Sequence, residues 1–117
     1  MEKKSPEKFE RPWGHYENIL EDQFYKVKRL VVNPNQQLSL QYHHHRTEHW
    51  TVVDGSGEVT LGDCVYDAGI RSSFRIGVRQ THRLKAGANG ITIIEVQLGS
   101  NCSEDDIVRL KDDYQRV

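Results

Sequence analysis

Six histidines occur in this 117-residue chain, and four of them, His43, His44, His45 and His49, fall within seven consecutive positions. The run Leu38-Ser39-Leu40-Gln41-Tyr42-His43-His44-His45-Arg46-Thr47-Glu48-His49-Trp50 sets an amide and a carboxylate among those imidazoles. A mixture of neutral nitrogen and oxygen donors suits zinc or another borderline divalent ion, and a small protein ligand set leaves positions open for water or substrate. Chemistry is therefore expected here, provided the backbone points the right side chains at one place.

Strand parity decides which of them converge. If residues 37–43 form a strand, Ser39, Gln41 and His43 share one face and Leu38, Leu40 and Tyr42 the other. After a turn through His44 and His45, a strand starting at Glu48 puts Glu48, Trp50 and Val52 on one face, and it is expected to stop at Gly55 in an Asp-Gly turn. Downstream, His82 alternates with Leu84 and Ala86 against Thr81, Arg83 and Lys85, so this isolated histidine faces inward. Gln41, His43, Glu48 and His82 form one candidate ligand set; His43, His45, His49 and His82 form another.

The elements that must carry these residues read as β throughout most of the chain. Segments 24–32, 37–43, 48–53, 58–61, 70–76, 81–86 and 91–98 are short and apolar-alternating, and Gly, Asn and Asp clusters separate them. That spacing predicts an all-β sandwich or barrel, and no βα alternation appears. Residues 1–8 read as a flexible N-terminal arm before a single domain over residues 9–117, which opens on an ordered aromatic segment bent at Pro12-Trp13-Gly14. Ser103-Glu104-Asp105-Asp106 ahead of Ile107, Leu110 and Tyr114 predicts a short N-capped C-terminal helix.

Composition narrows the partners. Sixteen Lys and Arg against 17 Asp and Glu give a formal charge of −1, which excludes a generally basic nucleic-acid binder. No apolar run approaches the roughly 18 residues of a membrane span, and no signal-peptide pattern opens the chain, so a cytoplasmic protein with no membrane partner is expected. Cys64 and Cys102 lack metal-site spacing and read as reduced thiols. Trp13 and Trp50 read as core or interface aromatics. A homodimer is expected from the aromatic opening segment.

The spacing Gln41-x-His43-x4-Glu48-x6-Gly55 resembles the first cupin motif, with Gln where the first ligand is usually His, and 76–82 sits where the second motif would lie. The strings LSLQYHHHRTEHW, RPWGHYE and EVQLGSNCSEDDIVRL resemble type II phosphomannose isomerases over Arg11 to Arg116. In many of those proteins the cupin is fused behind a mannose-1-phosphate guanylyltransferase domain. The resemblance implies a cupin fold, a double-stranded β-helix or jelly-roll-like barrel. The segment Leu38-Ser39-Leu40-Gln41-Tyr42-His43 also resembles the metal-binding strand of the distant type I isomerases, which implies metal ligands Gln41, His43, Glu48 and His82, with zinc foremost and cobalt, manganese, nickel or magnesium as alternatives. Departures are Asn35 in place of a turn glycine, and Gly77 and Arg79 where the second motif usually carries Pro and Gly. No nucleotidyltransferase segment accompanies the cupin in these residues, so GDP-mannose synthesis is not expected of them.

The activity so implied is interconversion of mannose 6-phosphate and fructose 6-phosphate through an enediolate, with a non-catalytic sugar- or nucleotide-sugar-binding partner of a guanylyltransferase as the alternative. Proton transfer between C1 and C2 needs a cation at the sugar oxygens, a base and a grip on the phosphate. His45 and Glu95 are the candidate bases, Glu95 because it shares parity with Ile91, Ile93 and Gln97. Arg46, Arg109 and Lys28 are the candidate phosphate ligands, with Arg46 near enough to the metal strand to act in catalysis as well.

Overall fold

The structure, a computed structural model, describes residues 7–116. It is built from strands β1 (Glu7–Arg11), β2 (Gly14–Glu21), β3 (Tyr25–Val32), β4 (Leu40–Tyr42), β5 (Arg46–Leu61), β6 (Cys64–Ala68), β7 (Ser73–Ile76), β8 (His82–Gly99) and β9 (Val108–Lys111). No helix occurs among the described residues, and so none is long and apolar enough to cross a membrane.

Two strands are long enough to run through both layers, and they define the barrel. The first half of β5 pairs with the second half of β8, and β3, β2 and β1 extend this leaf on one side and β7 on the other. The second half of β5 pairs with the first half of β8, flanked by β6 on one side and by β4 and β9 on the other. Register shifts at Val52/Asp54 and Gly55/Gly57 bend the shared strands, so one continuous sheet folds back on itself. This is the jelly-roll arrangement of a cupin, as the sequence led us to expect.

Inward-facing residues form rows across each leaf, because registered neighbours in a sheet share a face. On the first leaf these are Lys26–Gln97–Glu48, then Lys28–Glu95–Trp50, then Leu30–Ile93–Val52. On the second, Leu61, His82, Gln41 and Arg109 form one row and Val59 with Leu84 lies deeper. The interior is thus divided lengthwise. One end is lined by buried polar side chains, and the other by Leu30, Val32, Val52, Val59, Leu84, Ala86, Ile91 and Ile93.

Several expected boundaries are corrected. Segments 48–53 and 58–61 are one strand, and so are 81–86 and 91–98, because Asp54–Gly57 and Gly87–Gly90 bend a strand instead of reversing it. Glycine supplies positive φ equally to a turn and to a bulge, so local sequence does not distinguish them. The expected C-terminal helix is absent: Ser103–Asp106 closes a single turn, with Asp106 N–H donating to the Ser103 carbonyl at 3.1 Å, and the chain then enters β9. The serine hydroxyl accepts from Asp105 N–H at 3.1 Å, a local bond that serves a turn as well as a helix cap. The arm expected over residues 1–8 gives way to strand at Glu7, and residues 1–6 lie outside the described residues. The segment over 37–43 contracts to β4, with Gln37 only bridging Lys85, and β6 was not anticipated. Asn35 does adopt the left-handed conformation expected where the family has glycine, at φ 63°.

The two long strands pass close to one another at the bend. Gly55 has φ 73°, and a Cβ there would lie 2.2 Å from the Gly90 carbonyl oxygen. Gly62, at φ 58°, has open space around it. Gly55→Ala is therefore expected to cost at least about 2–4 kcal/mol, strain plus a backbone clash, whereas Gly62→Ala costs about 1–2 kcal/mol from φ alone. Urea unfolding of the two variants checks this; equal losses would contradict the close approach.

Candidate metal centre

His43 leaves the end of β4, Glu48 lies near the start of β5, and His82 begins β8. Their ligand atoms all fall within 4.8 Å of one another. Glu48 Oε2 is 3.3 Å from His43 Nε2, and Glu48 Oε1 is 3.6 Å from His82 Nε2. All three are buried, at 2%, 1% and 0% exposure for His43, Glu48 and His82.

Both imidazoles are held in the tautomer that a metal requires. His43 Nδ1 meets the Asp106 carbonyl at 2.5 Å, and His82 Nδ1 meets the Gln80 carbonyl at 2.8 Å. A carbonyl can only accept, so each Nδ1 carries a proton and, in the neutral ring, each Nε2 presents a lone pair to the cluster. His82 Nε2 has no hydrogen-bond partner among the described residues despite complete burial. Burial, followed by the Arg46 and His82 charges, pushes the His43 pKa down to about 4, which keeps its ring neutral. An orphaned buried nitrogen, two locked tautomers and a carboxylate between them fit a borderline divalent ion. Gln41 stands in register beside His82, lines the same cavity and accepts from Ser39 Oγ at 2.8 Å through its Oε1.

A second carboxyl lies behind the first. Trp50 Nε1–H is shared between Glu48 Oε1 at 3.2 Å and Glu95 Oε2 at 3.1 Å, and the Gln97 amide donates to Glu95 Oε1. Burial and then the Glu48 charge raise the Glu95 pKa above the ordinary carboxylate range. Gln97 Oε1 is buried without a partner among the described residues, which leaves an acceptor in the cavity wall. Arg46 supplies the compensating cation: its Nε donates to Glu48 Oε2 at 3.0 Å, one Nη to the Ser103 carbonyl at 2.8 Å, and the other lies 3.5 Å from His43 Nε2.

These groups line one cavity of about 630 Å³, counted out to its open mouth. Of the residues expected at the site, Gln41, His43, Arg46, Glu48, Glu95, Lys28 and Arg109 line it, and His82 stands outside the lining with its Nε2 3.6 Å from Glu48 Oε1. His45 does not line it; its side chain is exposed, and its engaged groups are on the backbone, the N–H donating to Asp106 Oδ2 and the carbonyl accepting from Ser100 N–H. His49 is also exposed, on the outer face of β5, so the imidazole-rich ligand set does not assemble. The parity of β5 had already placed His49 opposite Glu48, but His45 sits in the turn where parity gives no direction. Trp50 and Gln97 are site residues that parity placed inward without revealing their use; their indole and amide groups are what the two carboxyls require. Asp106 and Glu104, by contrast, lay hidden in a segment read as helix.

Residues 1–112 match the family described as Mannose-6-phosphate isomerase C-terminal. The chain is 51% identical over 108 residues to the xanthan biosynthesis protein XanB of Xanthomonas campestris pv. campestris, covering 92% of this chain and 23% of that protein. It is 44% identical to the mannose-1-phosphate guanylyltransferase of Escherichia coli K12 and 45% identical to the alginate biosynthesis protein AlgA of Pseudomonas aeruginosa PAO1, each across 92% of this chain. The chain spans 23% and 22% of the lengths of those two relatives. Among solved structures, oxalate decarboxylase from Bacillus subtilis superposes with a TM-score of 0.80 at 16% identity, over 90% of this chain and 30% of that one. A double-stranded β-helix protein from Klebsiella pneumoniae superposes at 0.71 with 20% identity, over 80% of each chain; at such identities the likeness is one of fold alone. By the match across its first 112 residues, the chain belongs to the mannose-6-phosphate isomerase C-terminal family, on a cupin barrel.

Proposed function

We propose that this chain is a metal-dependent aldose–ketose isomerase acting on mannose 6-phosphate and fructose 6-phosphate. The observation that carries the proposal is the pairing of a three-ligand cluster, His43, Glu48 and His82, with a second buried carboxyl, Glu95, in one cavity. The family to which the chain belongs supplies the substrate class.

An ion held by His43, Glu48 and His82, with Gln41 beside them, would supply a Lewis acid for the oxygens at C1 and C2 of the open-chain sugar. Zinc suits these donors, and one carboxylate among neutral ligands preserves net positive charge against an enediolate. Glu95 carries the proton between C1 and C2. Its raised pKa makes the ionised carboxylate a stronger base than a solvated one, and the Trp50 and Gln97 N–H groups fix both of its oxygens. The unpartnered Gln97 Oε1 accepts from a sugar hydroxyl and orients the chain. Arg46 balances the charge of Glu48.

A second reading is favoured by one observation: named relatives are guanylyltransferases, of which this chain spans 22–23% of the length. On that reading the barrel binds a sugar or nucleotide sugar for a transferase and does not turn it over.

Two measurements test these readings. Zinc titration of chelator-treated protein is expected to give one site per chain, weakened at least about 100-fold by His82→Ala. Asp106→Asn is expected to weaken it about tenfold, since the Asp106 carboxylate anchors the His44 and His45 N–H groups and its carbonyl orients His43. In a coupled assay, zinc-loaded protein converts mannose 6-phosphate to fructose 6-phosphate, and Glu95→Gln lowers kcat about 10²–10⁴-fold while zinc affinity holds. Tight sugar-phosphate binding with no turnover under any divalent ion would sink the isomerase and favour the binding module.

A further inference from the structure

Five cationic side chains line the cavity, Arg11, Lys28, Arg46, Arg109 and Arg116, against three carboxyls, Glu48, Glu95 and Glu104. Their existing partners sort them. Arg46 is bound to Glu48, and Lys28 to Glu104 Oε2 at 2.5 Å while also lying 4.0 Å above the Tyr16 ring. Arg116 forms two bonds to Asp112, at 2.6 and 3.1 Å. Arg11 reaches only the Glu10 carbonyl and the Tyr16 hydroxyl, and has no carboxylate partner among the described residues. Arg109 is the least satisfied: its Nε is buried with no hydrogen-bond partner among the described residues.

We infer that Arg109, flanked by Arg11 and Arg116, forms the subsite that receives the phosphoryl group of a sugar-phosphate substrate. The inference rests on the sugar-phosphate reading above and assigns the anion's place within it. A buried guanidinium N–H without an acceptor is costly, and a phosphoryl oxygen is the acceptor whose charge and geometry match a guanidinium fork. Burial and the neighbouring Arg116 charge both lower the Arg109 pKa, as expected of a cation crowded by like charge.

Position supports the same assignment. Arg109 on β9 is registered with Gln41 on β4, and Gln41 with His82 on β8. Their side chains therefore lie in one row on the inner face, and the backbones of Arg109 and His82 stand about 10 Å apart, two strand spacings. Metal ligands at one end and an unpaired cation at the other suit a substrate whose phosphoryl group is remote from the reacting carbons. Of the three phosphate ligands expected from sequence, the proposal keeps Arg109 and sets aside Arg46 and Lys28, which already neutralise Glu48 and Glu104.

Inorganic phosphate is the probe that separates this subsite from the isomerase reading. Calorimetric titration of chelator-treated protein at fixed ionic strength is expected to show phosphate binding. Arg109→Gln should weaken it at least about tenfold and Arg109→Lys less, while Arg75→Gln on the outer face leaves it unchanged. Phosphate should raise the thermal midpoint of the native chain and not of Arg109→Gln, whose own midpoint should equal or exceed the native one. With zinc-loaded protein, Arg109→Gln should raise KM for mannose 6-phosphate far more than it lowers kcat, and binding of unphosphorylated mannose should not change. Phosphate binding that survives Arg109→Gln, or that is lost in Lys28→Met instead, overturns the proposal. Arg109-dependent phosphate binding in a protein without turnover would retire the isomerase and leave the subsite standing. Turnover in Arg109→Gln with an unchanged KM would do the reverse.

Discussion

Glu48 is a carboxylate at 1% exposure, and the organisation of this end of the barrel follows from having to keep it there. An ion moved out of water loses several kcal/mol of solvation unless charges and hydrogen bonds replace it. Here Arg46 and the Trp50 indole donate to it while the Nε2 atoms of His43 and His82, which carry lone pairs in the neutral rings, face it. Those lone pairs do not stabilise a carboxylate; they are complementary to a cation placed among all three. The one arrangement explains the buried arginine, the inward tryptophan N–H and the orphaned His82 nitrogen. Glu95 adds a second carboxyl to the same indole, and its raised pKa is the consequence of burying like charges together.

Such a floor contributes little apolar burial, so the stability of a domain this small has to come from the far end. The division of the inner rows meets that need. Moving along β3, the inward residues pass from Lys26 and Lys28 to Leu30 and Val32; along β8 they pass from Gln97 and Glu95 to Ile93 and Ile91. The two long strands make the division workable, because each serves both leaves. β8 contributes His82 to one wall and Glu95 with Gln97 to the facing one, with the bend at Gly90 between them. A point change at the bend is therefore expected to shift His82 relative to Glu95 and Gln97.

Parity made much of this legible in the sequence. Once residues 37–43, 48–53 and 81–86 were read as strands, Gln41, Glu48 and His82 turned inward, and the structure brings Glu48 and His82 together with His43, with Gln41 beside them. Parity fails where the backbone is not extended, which is why His45, in the turn, was expected to act and is instead exposed. It was also silent on Lys28, since a lysine on an alternating strand suits an outer face unless an anion waits inside; that anion, Glu104, lies 76 residues away. Chain reversals and strand bends share the same glycine and aspartate signals, so the sequence showed seven strands where continuous β5 and β8 replace four of them.

The expected C-terminal helix is the most instructive failure. In a helix the carbonyls of Ser103 and Asp106 would accept from N–H groups of the next turn. In the structure the Ser103 carbonyl accepts from Arg46 as well as from the Asp106 N–H that closes the turn, and the Asp106 carbonyl accepts from His43, while the Asp106 carboxylate takes the His44 and His45 N–H groups and Glu104 takes Lys28. As a turn, these residues present two carbonyls and two carboxylates to the site, and pairing β9 with β4 supplies backbone hydrogen bonds to the residues that follow. The same sequence signals that favour a helix cap are thus those that suit a segment strapped across a cationic mouth. Local propensity yields where buried groups need partners: His43, Arg46 and Lys28 are all buried, and each finds an acceptor in this turn.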